Sequence, residues 1–157
     1  MNNQQIDKIV NFFRINFQLH QPYQLLLDGN FIKLVVEKEL DLKKRLENAL
    51  KAKVILRTTN CIMRELELLG EQFKLVLEQA KQLKNIHCKH PIEQSADRCI
   101  LEQVGNSNER QLFVCSQDLE LRRRVRDLEN VPIMYFGPDQ RVTMEDIHKK
   151  TMQSLQQ

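Results

Sequence analysis

Four short apolar runs recur along the chain, and stretches with helical spacing separate them. Gln24-Leu25-Leu26-Leu27-Asp28 is closed by Gly29-Asn30; Lys53-Val54-Ile55-Leu56-Arg57 follows, then Gln111-Leu112-Phe113-Val114-Cys115-Ser116. Pro132-Ile133-Met134-Tyr135-Phe136 is the last, closed by Gly137-Pro138. Runs that are apolar at successive positions have no solvent face, so they belong in a parallel sheet covered on both sides. Between them, Ile6, Ile9, Val10 and Phe13 recur at helical spacing, as do Ile32, Val35 and Val36, and then Leu42, Leu46, Ala49 and Leu50. Asn60 is placed to cap a helix carrying Ile62, Leu66 and Leu69, ended by Gly70. Leu75, Val76, Ala80 and Leu83 suggest a further helix. Ser95 can cap one carrying Ile100, Leu101 and Val104, stopped by Gly105, and Leu119 to Leu128 forms another. Strands alternating with helices of this length predict a three-layer α/β fold.

A chain of 157 residues, 41% apolar and 29% charged, fits one globular domain. No apolar run reaches the length of a membrane span, and the opening MNNQQIDKIV has no secretory pattern, so an intracellular protein without a membrane partner is expected. The net charge, 24 − 21 = +3, permits an acidic partner without demanding one.

In a parallel sheet, ligands bind beyond the carboxyl ends of the strands. Asp28 and Asp118 follow two of the apolar runs, Glu65 lies one helical turn after Cys61, and Asp97 sits in the first turn after Ser95. Carboxylates gathered on one rim suit Mg²⁺ or Mn²⁺, although each alone also reads as a helix cap or a solvated charge. Cys88-Lys89-His90 and, after eight intervening residues, Cys99 supply soft ligands across a loop, and Cys61 can supply a fourth. The same cysteines also read as reduced, buried small hydrophobes, as Cys115 does inside its strand, and His87 is a rival ligand. Arg122, Arg123, Arg124 and Arg126, with Lys89 and Arg98, suit phosphate contacts; they equally suit a solvated helix face paired with Asp118, Glu120 and Asp127.

Taken in order, Pro22-Tyr23-Gln24-Leu25-Leu26-Leu27-Asp28-Gly29, Cys61-Ile62-Met63-Arg64-Glu65-Leu66, Cys88-Lys89-His90, Ala96-Asp97-Arg98-Cys99, Ser116-Gln117-Asp118-Leu119-Glu120-Leu121 and Val131-Pro132-Ile133-Met134 closely resemble a known family. They are similar to the PIN-domain (PilT N-terminus) proteins of the eukaryotic small-subunit processome. The likeness runs from about Phe12 to Val142. Of two sister branches, it is more similar to the one called U-three protein twenty-three than to the FAF-one copurifying factor. With the helical spacing of the first stretch and the polar composition of the last, this divides the chain into an N-terminal helix in 1–21, a PIN-like domain in 22–142 with the zinc loop that the resemblance implies at about 86–99, and a polar tail in 143–157. The resemblance implies structural Zn²⁺ on Cys61, Cys88, His90 and Cys99, and a nuclear, nucleolar role in early 18S rRNA maturation. The implied partners are pre-rRNA, an H/ACA snoRNA and other processome proteins.

Asp28, Glu65, Asp97 and Asp118 match the PIN acidic positions, so the resemblance also offers a Mg²⁺- or Mn²⁺-dependent endoribonuclease. The leading expectation is nevertheless an RNA-binding assembly factor rather than an enzyme. Arg98 stands where family members usually carry an acid, where it can neutralise the cluster or contact RNA. The basic N-terminal stretch and Lys-rich tail common in the family have no counterpart in this sequence.

Overall fold

The computed structural model describes residues 1–146; the stretch 147–157, including His148 and most of the expected polar tail, lies outside the described residues. The elements follow one another as α1 (Asn3–Phe17), β1 (Tyr23–Leu27), α2 (Gly29–Glu37), α3 (Leu42–Leu50), β2 (Val54–Thr59) and α4 (Asn60–Leu68). A single 3-10 turn, Glu71–Phe73, leads into α5 (Lys74–Lys81), β3 (Lys84–Ile86), α6 (Ala96–Val104) and β4 (Leu112–Cys115). The chain then forms α7 (Leu119–Arg126), β5 (Ile133–Phe136) and β6 (Val142–Met144). No helix among the described residues is long and apolar enough to cross a membrane.

The strands make one sheet in the order β3-β2-β1-β4-β5-β6, flanked by helices. The chain moves outward from β1 to β2 and β3, then crosses back to β4 on the other side of β1. That reversal opens a crevice at the carboxyl ends of β1 and β4, where ligands of such sheets bind. The parallel register pairs Gln24 with Leu112 and Leu27 with Cys115. Leu25, Leu26, Leu27 and all four residues of β4 are fully buried, as strands covered on both faces must be.

The predicted α/β architecture holds, with additions at both edges. β3 and β6 each have only three residues. β6 runs antiparallel to β5, so the sheet is mixed rather than wholly parallel. Thr143 and Met144, expected to open a polar tail, belong to β6 because Val142 and Met144 bury their side chains on the core. The helix expected to start at Asn60 is capped one residue earlier: the Thr59 hydroxyl accepts from the Ile62 N–H at 3.1 Å. Asn60 instead donates to the Cys88 carbonyl at 2.8 Å.

Beyond β6, Glu145 fastens the hairpin to α7. Its carboxylate accepts from Arg126 Nε and Nη2 at 3.2 and 3.1 Å and lies 3.6 Å from Arg122 Nε. Arg122 is only 7% exposed, with its guanidinium 3.8 Å from the centroid of the Tyr135 ring. Its place in the RNA-contact set is therefore corrected: the helix turns this arginine inward, to the same side as Leu121 and Val125. Replacing Glu145 by Ala strands a buried guanidinium, so stability is expected to fall by about 3 kcal/mol. Urea denaturation of the variant checks this.

Candidate functional site

A cleft of about 350 Å³ opens at the β1/β4 crevice, and Asp28, Glu65, Asp97 and Asp118 all line it. Each is delivered by a different element or junction. Asp28 ends β1 and caps α2, accepting from the Gly29 N–H at 2.8 Å. Asp118 ends the turn after β4 and caps α7 through the Leu121 N–H at 3.0 Å. Asp97 lies in the first turn of α6, itself capped by Ser95. Glu65 reaches from α4 to the N–H of Ala96 at 3.1 Å, filling a donor that the start of α6 leaves open. Gly29 lets α4 come close: a Cβ there would stand 3.1 Å from Leu66 Cδ2.

Ser116 and Asn30 organise the centre, and sequence reading did not single out either as a site residue. The Ser116 hydroxyl donates to Asp28 Oδ2 at 2.8 Å and accepts from the Asp118 N–H at 3.0 Å, so one buried oxygen joins both strand-end acids. Asn30 Oδ1 accepts from the Gln117 N–H at 3.0 Å. The Ser116-Gln117-Asp118 motif was the available signal, since a small hydroxyl residue at a strand end can bond locally in this way.

Burial pushes the carboxyl of Asp28 up to about 6, and the charges of Asp97 and Glu65 add to the rise against the lowering hydrogen bonds from Ser116 and Gly29. Asp97 is likewise raised, first by burial and then by Asp118 and Glu65, while Arg124 works the other way. The cleft thus concentrates negative charge that water cannot fully screen, the condition that favours a bound cation. Its acids do not form a preformed cage like the one the cysteines make.

That cage is the set of three or more metal-ligating side chains that closes tightly among the described residues. Cys61, Cys88, His90 and Cys99 place their ligand atoms within 4.8 Å of one another. Cys88 Sγ is 3.6 Å from Cys61 Sγ and 3.7 Å from Cys99 Sγ, and Cys61 Sγ is 3.4 Å from His90 Nδ1. A tetrahedron with metal–sulfur bonds of about 2.3 Å has sulfur–sulfur edges of about 3.8 Å, so these spacings fit a zinc-sized ion and are far too long for disulfides. His90 Nε2 faces Glu102, the carboxylate partner that commonly orients a metal-bound histidine. Arg64 donates to Cys61 Sγ at 3.3 Å and to the His90 carbonyl at 2.9 Å, closing the loop over α4. Burial pushes the Cys99 thiol up to about 12. Burial also raises Cys88, but hydrogen bonds involving Cys61, Cys99 and His90 outweigh it and bring that thiol to about 7. His87 is exposed and outside the group, and Cys115 is fully buried in β4.

The other cations divide. Arg98, Arg123 and Arg124 line a groove between α6 and α7. Arg98 is turned toward Glu102, 3.7 Å away, and does not line the acidic cleft. Arg123 and Arg124 are half-exposed and pair with Glu120, and Lys89 is exposed. Arg126 is held by Glu145.

Residues 48–146 match the family model described as Fcf1. The chain belongs to the Fcf1 family. The rRNA-processing protein FCF1 homolog of Mus musculus is 37% identical over 128 residues, covering 80% of this chain and 63% of that protein. The rRNA-processing protein utp23 of Schizosaccharomyces pombe is 26% identical over 153 residues, covering 91% of this chain and 59% of that one. Both sister branches are thus matched, FCF1 at higher identity and utp23 over more of the chain. This Fcf1-family chain spans less than two thirds of the length of either relative. The solved structure of the PIN domain endonuclease Utp24 superposes with a TM-score of 0.73 at 30% identity, covering 81% of this chain and 94% of that one. The PIN fold implied by the sequence resemblance is therefore present.

The raised Asp28 carboxyl carries a stability signature. The native state holds this proton up to about pH 6, whereas the ordinary value is 3.8. Between those values the native state binds more protons than the unfolded chain, so stability falls as pH rises through the window, by roughly 3 kcal/mol in all. Asp28→Asn is expected to remove that slope and to be the more stable form at pH 7.5. Urea midpoints from pH 4 to 8, without added divalent cations, measure both.

Proposed function

We propose that this chain is a ribosome-biogenesis factor that binds RNA across the carboxylate cleft and cleaves it with a divalent cation. The observation that carries the reading is the meeting of Asp28, Glu65, Asp97 and Asp118, from four separate parts of the chain, on one cleft at the sheet's switch point. The names of the relatives support the process, and the endonuclease structure supports the chemistry. This moves the emphasis from the assembly factor to the enzyme, because the carboxylates share a cleft and Arg98 does not enter it.

Bound among these carboxylates, Mg²⁺ or Mn²⁺ would supply Lewis-acid polarisation of a phosphoryl oxygen and a more acidic water. The chain's own part is to hold the ligands ready. Asp28 Oδ1 and Oδ2 each accept one hydrogen bond here, from Gly29 and Ser116, and each keeps a second lone pair. Asp118 and Glu65 are fixed in the same way by Leu121 and Ala96. Arg98, Arg123, Arg124 and Lys89 offer exposed charge to the RNA backbone, with Arg124 near enough to Asp97 to act on its charge. Cys61, Cys88, His90 and Cys99 are assigned to a structural zinc, which leaves no open coordination position. Pre-rRNA, an H/ACA snoRNA and processome proteins as partners, and the nucleolus as location, follow from the family resemblance.

A second reading has one observation in its favour. Asp28, Glu65 and Asp118 all bind backbone N–H groups at helix starts, a structural task that would retain them in a protein that binds RNA without cutting it.

Incubation with single-stranded RNA and Mn²⁺ separates the two. Cleavage is expected from the wild type and is expected to drop by at least about 100-fold in Asp28→Asn, since even outer-shell metal partners cost 10- to 100-fold. Equal cleavage by both sinks the nuclease reading, and binding without cleavage selects the second. Metal analysis of protein purified without added zinc is expected to give near-stoichiometric zinc, lost in Cys99→Ser together with thermal stability. Retention of zinc by that variant overturns the ligand set.

A further inference from the structure

The acidic cleft has a second wall that its carboxylates do not explain. Ile62, Leu66, Leu69 and Phe73 line it beside the acids. Leu69 is 44% exposed, and Phe73, the last residue of the 3-10 turn, is half-buried. Apolar surface left open to water beside a charged site carries a free-energy cost, and hydrolysis of a phosphate does not call for it. Lys33, from α2, is the one cation among the described residues lining the cleft. Its Nζ lies 5.4 Å from the Phe73 ring centroid and 3.6 Å from Glu37. An aromatic ring with a cation over it, aliphatic side chains and carboxylates thus line one cavity.

These are the complementary parts of a nucleotide. A nucleobase offers a flat face that stacks on an aromatic ring whatever its identity, and its phosphate pairs with an ammonium. In a duplex both faces of a base are already stacked and paired, so only an unpaired base can enter. We propose that Phe73, Leu69 and Leu66 form a subsite for one unpaired nucleobase of the RNA strand, with Lys33 on the phosphate beside it. The proposal rests on the reading that the cleft takes RNA, and it makes the cleft selective for single strands. The scarcity of Trp and Tyr (no Trp, only Tyr23 and Tyr135) argues against a platform of those types, and a single phenylalanine in the cleft suffices for one base.

The test is fluorescence anisotropy of the full chain in Ca²⁺ buffer, with a single-stranded oligoribonucleotide, the same strand carrying abasic spacers, and its duplex. Phe73→Ala is expected to weaken binding of the intact strand by about 5- to 150-fold, from a stacking worth of 1–3 kcal/mol per base. It should leave the abasic strand and the duplex unchanged. Phe73→Leu keeps apolar bulk and removes the ring, so it preserves folding while reducing the preference for intact over abasic RNA. Lys33→Gln is expected to lower the salt slope by about one. If the Phe73 variants keep the wild-type ratio of intact to abasic binding, the subsite is overturned while RNA binding stands. If the wild type binds none of the three RNAs, the subsite and the RNA reading fall together.

Discussion

Parallel pairing of β1 with β4 is the contact on which the rest of the molecule depends. These strands are far apart in sequence, and between them the chain builds half the sheet before crossing back. Their register ends with Leu27 beside Cys115, and the Asp28 N–H closes onto the Cys115 carbonyl at 2.9 Å. Because of that last bond, Asp28 and Ser116 leave the sheet side by side, and Asp118 is drawn in through the same hydroxyl. A slip of one residue would turn every side chain of β1 to the other face and scatter the acids. The fully buried leucines at 25, 26 and 27 oppose such a slip only in company with the turn at Gly29, where close packing on Leu66 admits no larger residue without displacement.

Charge is sorted as carefully as apolar surface. A run of arginines on α7 looks uniform in the sequence, yet its members have different tasks. Arg122 and Arg126 share Glu145 and hold the sheet edge, while Arg123 and Arg124 stay on the surface with Glu120. Exposed pairs of the latter kind contribute little to stability and can exchange partners, which leaves these two side chains free to serve a ligand. The acids of the cleft are the reverse case: Asp28, Glu65 and Asp118 are tied to backbone, and with Asp97 they crowd negative charge into a partly dry space.

How much of this could be read beforehand depended on burial. The strands at 24–28, 53–57, 111–116 and 132–136 announced themselves because both of their faces are covered. β3, Lys-Asn-Ile, and β6, Val-Thr-Met, did not, because short edge strands are made by pairing and need little apolar content. The four acids stood out as candidates by residue type and order, whereas the choice of Cys61, Cys88, His90 and Cys99 came from the family resemblance, spacing alone leaving His87 and a plain buried role open. Arg122 was misread because a basic run gives no sign that a carboxylate more than twenty residues later will meet one member of it. Ser116, Asn30, Lys33 and Phe73 escaped selection because their importance lies in neighbours from other elements, which a single sequence does not display.

α4 and α6 each carry one member of both centres: Cys61 and Glu65 on the first, Cys99 and Asp97 on the second. On α4 the two are a single turn apart, about 6 Å along the axis. The helices are thus joined twice, through the cysteine–histidine cage at one level and through the Glu65–Ala96 bond at the next. Two ties make a hinge into a truss. Neither helix can roll to relieve repulsion among the acids without disturbing the cysteine–histidine cage, so the spacing of the cleft carboxylates is set in part by a centre outside the cleft.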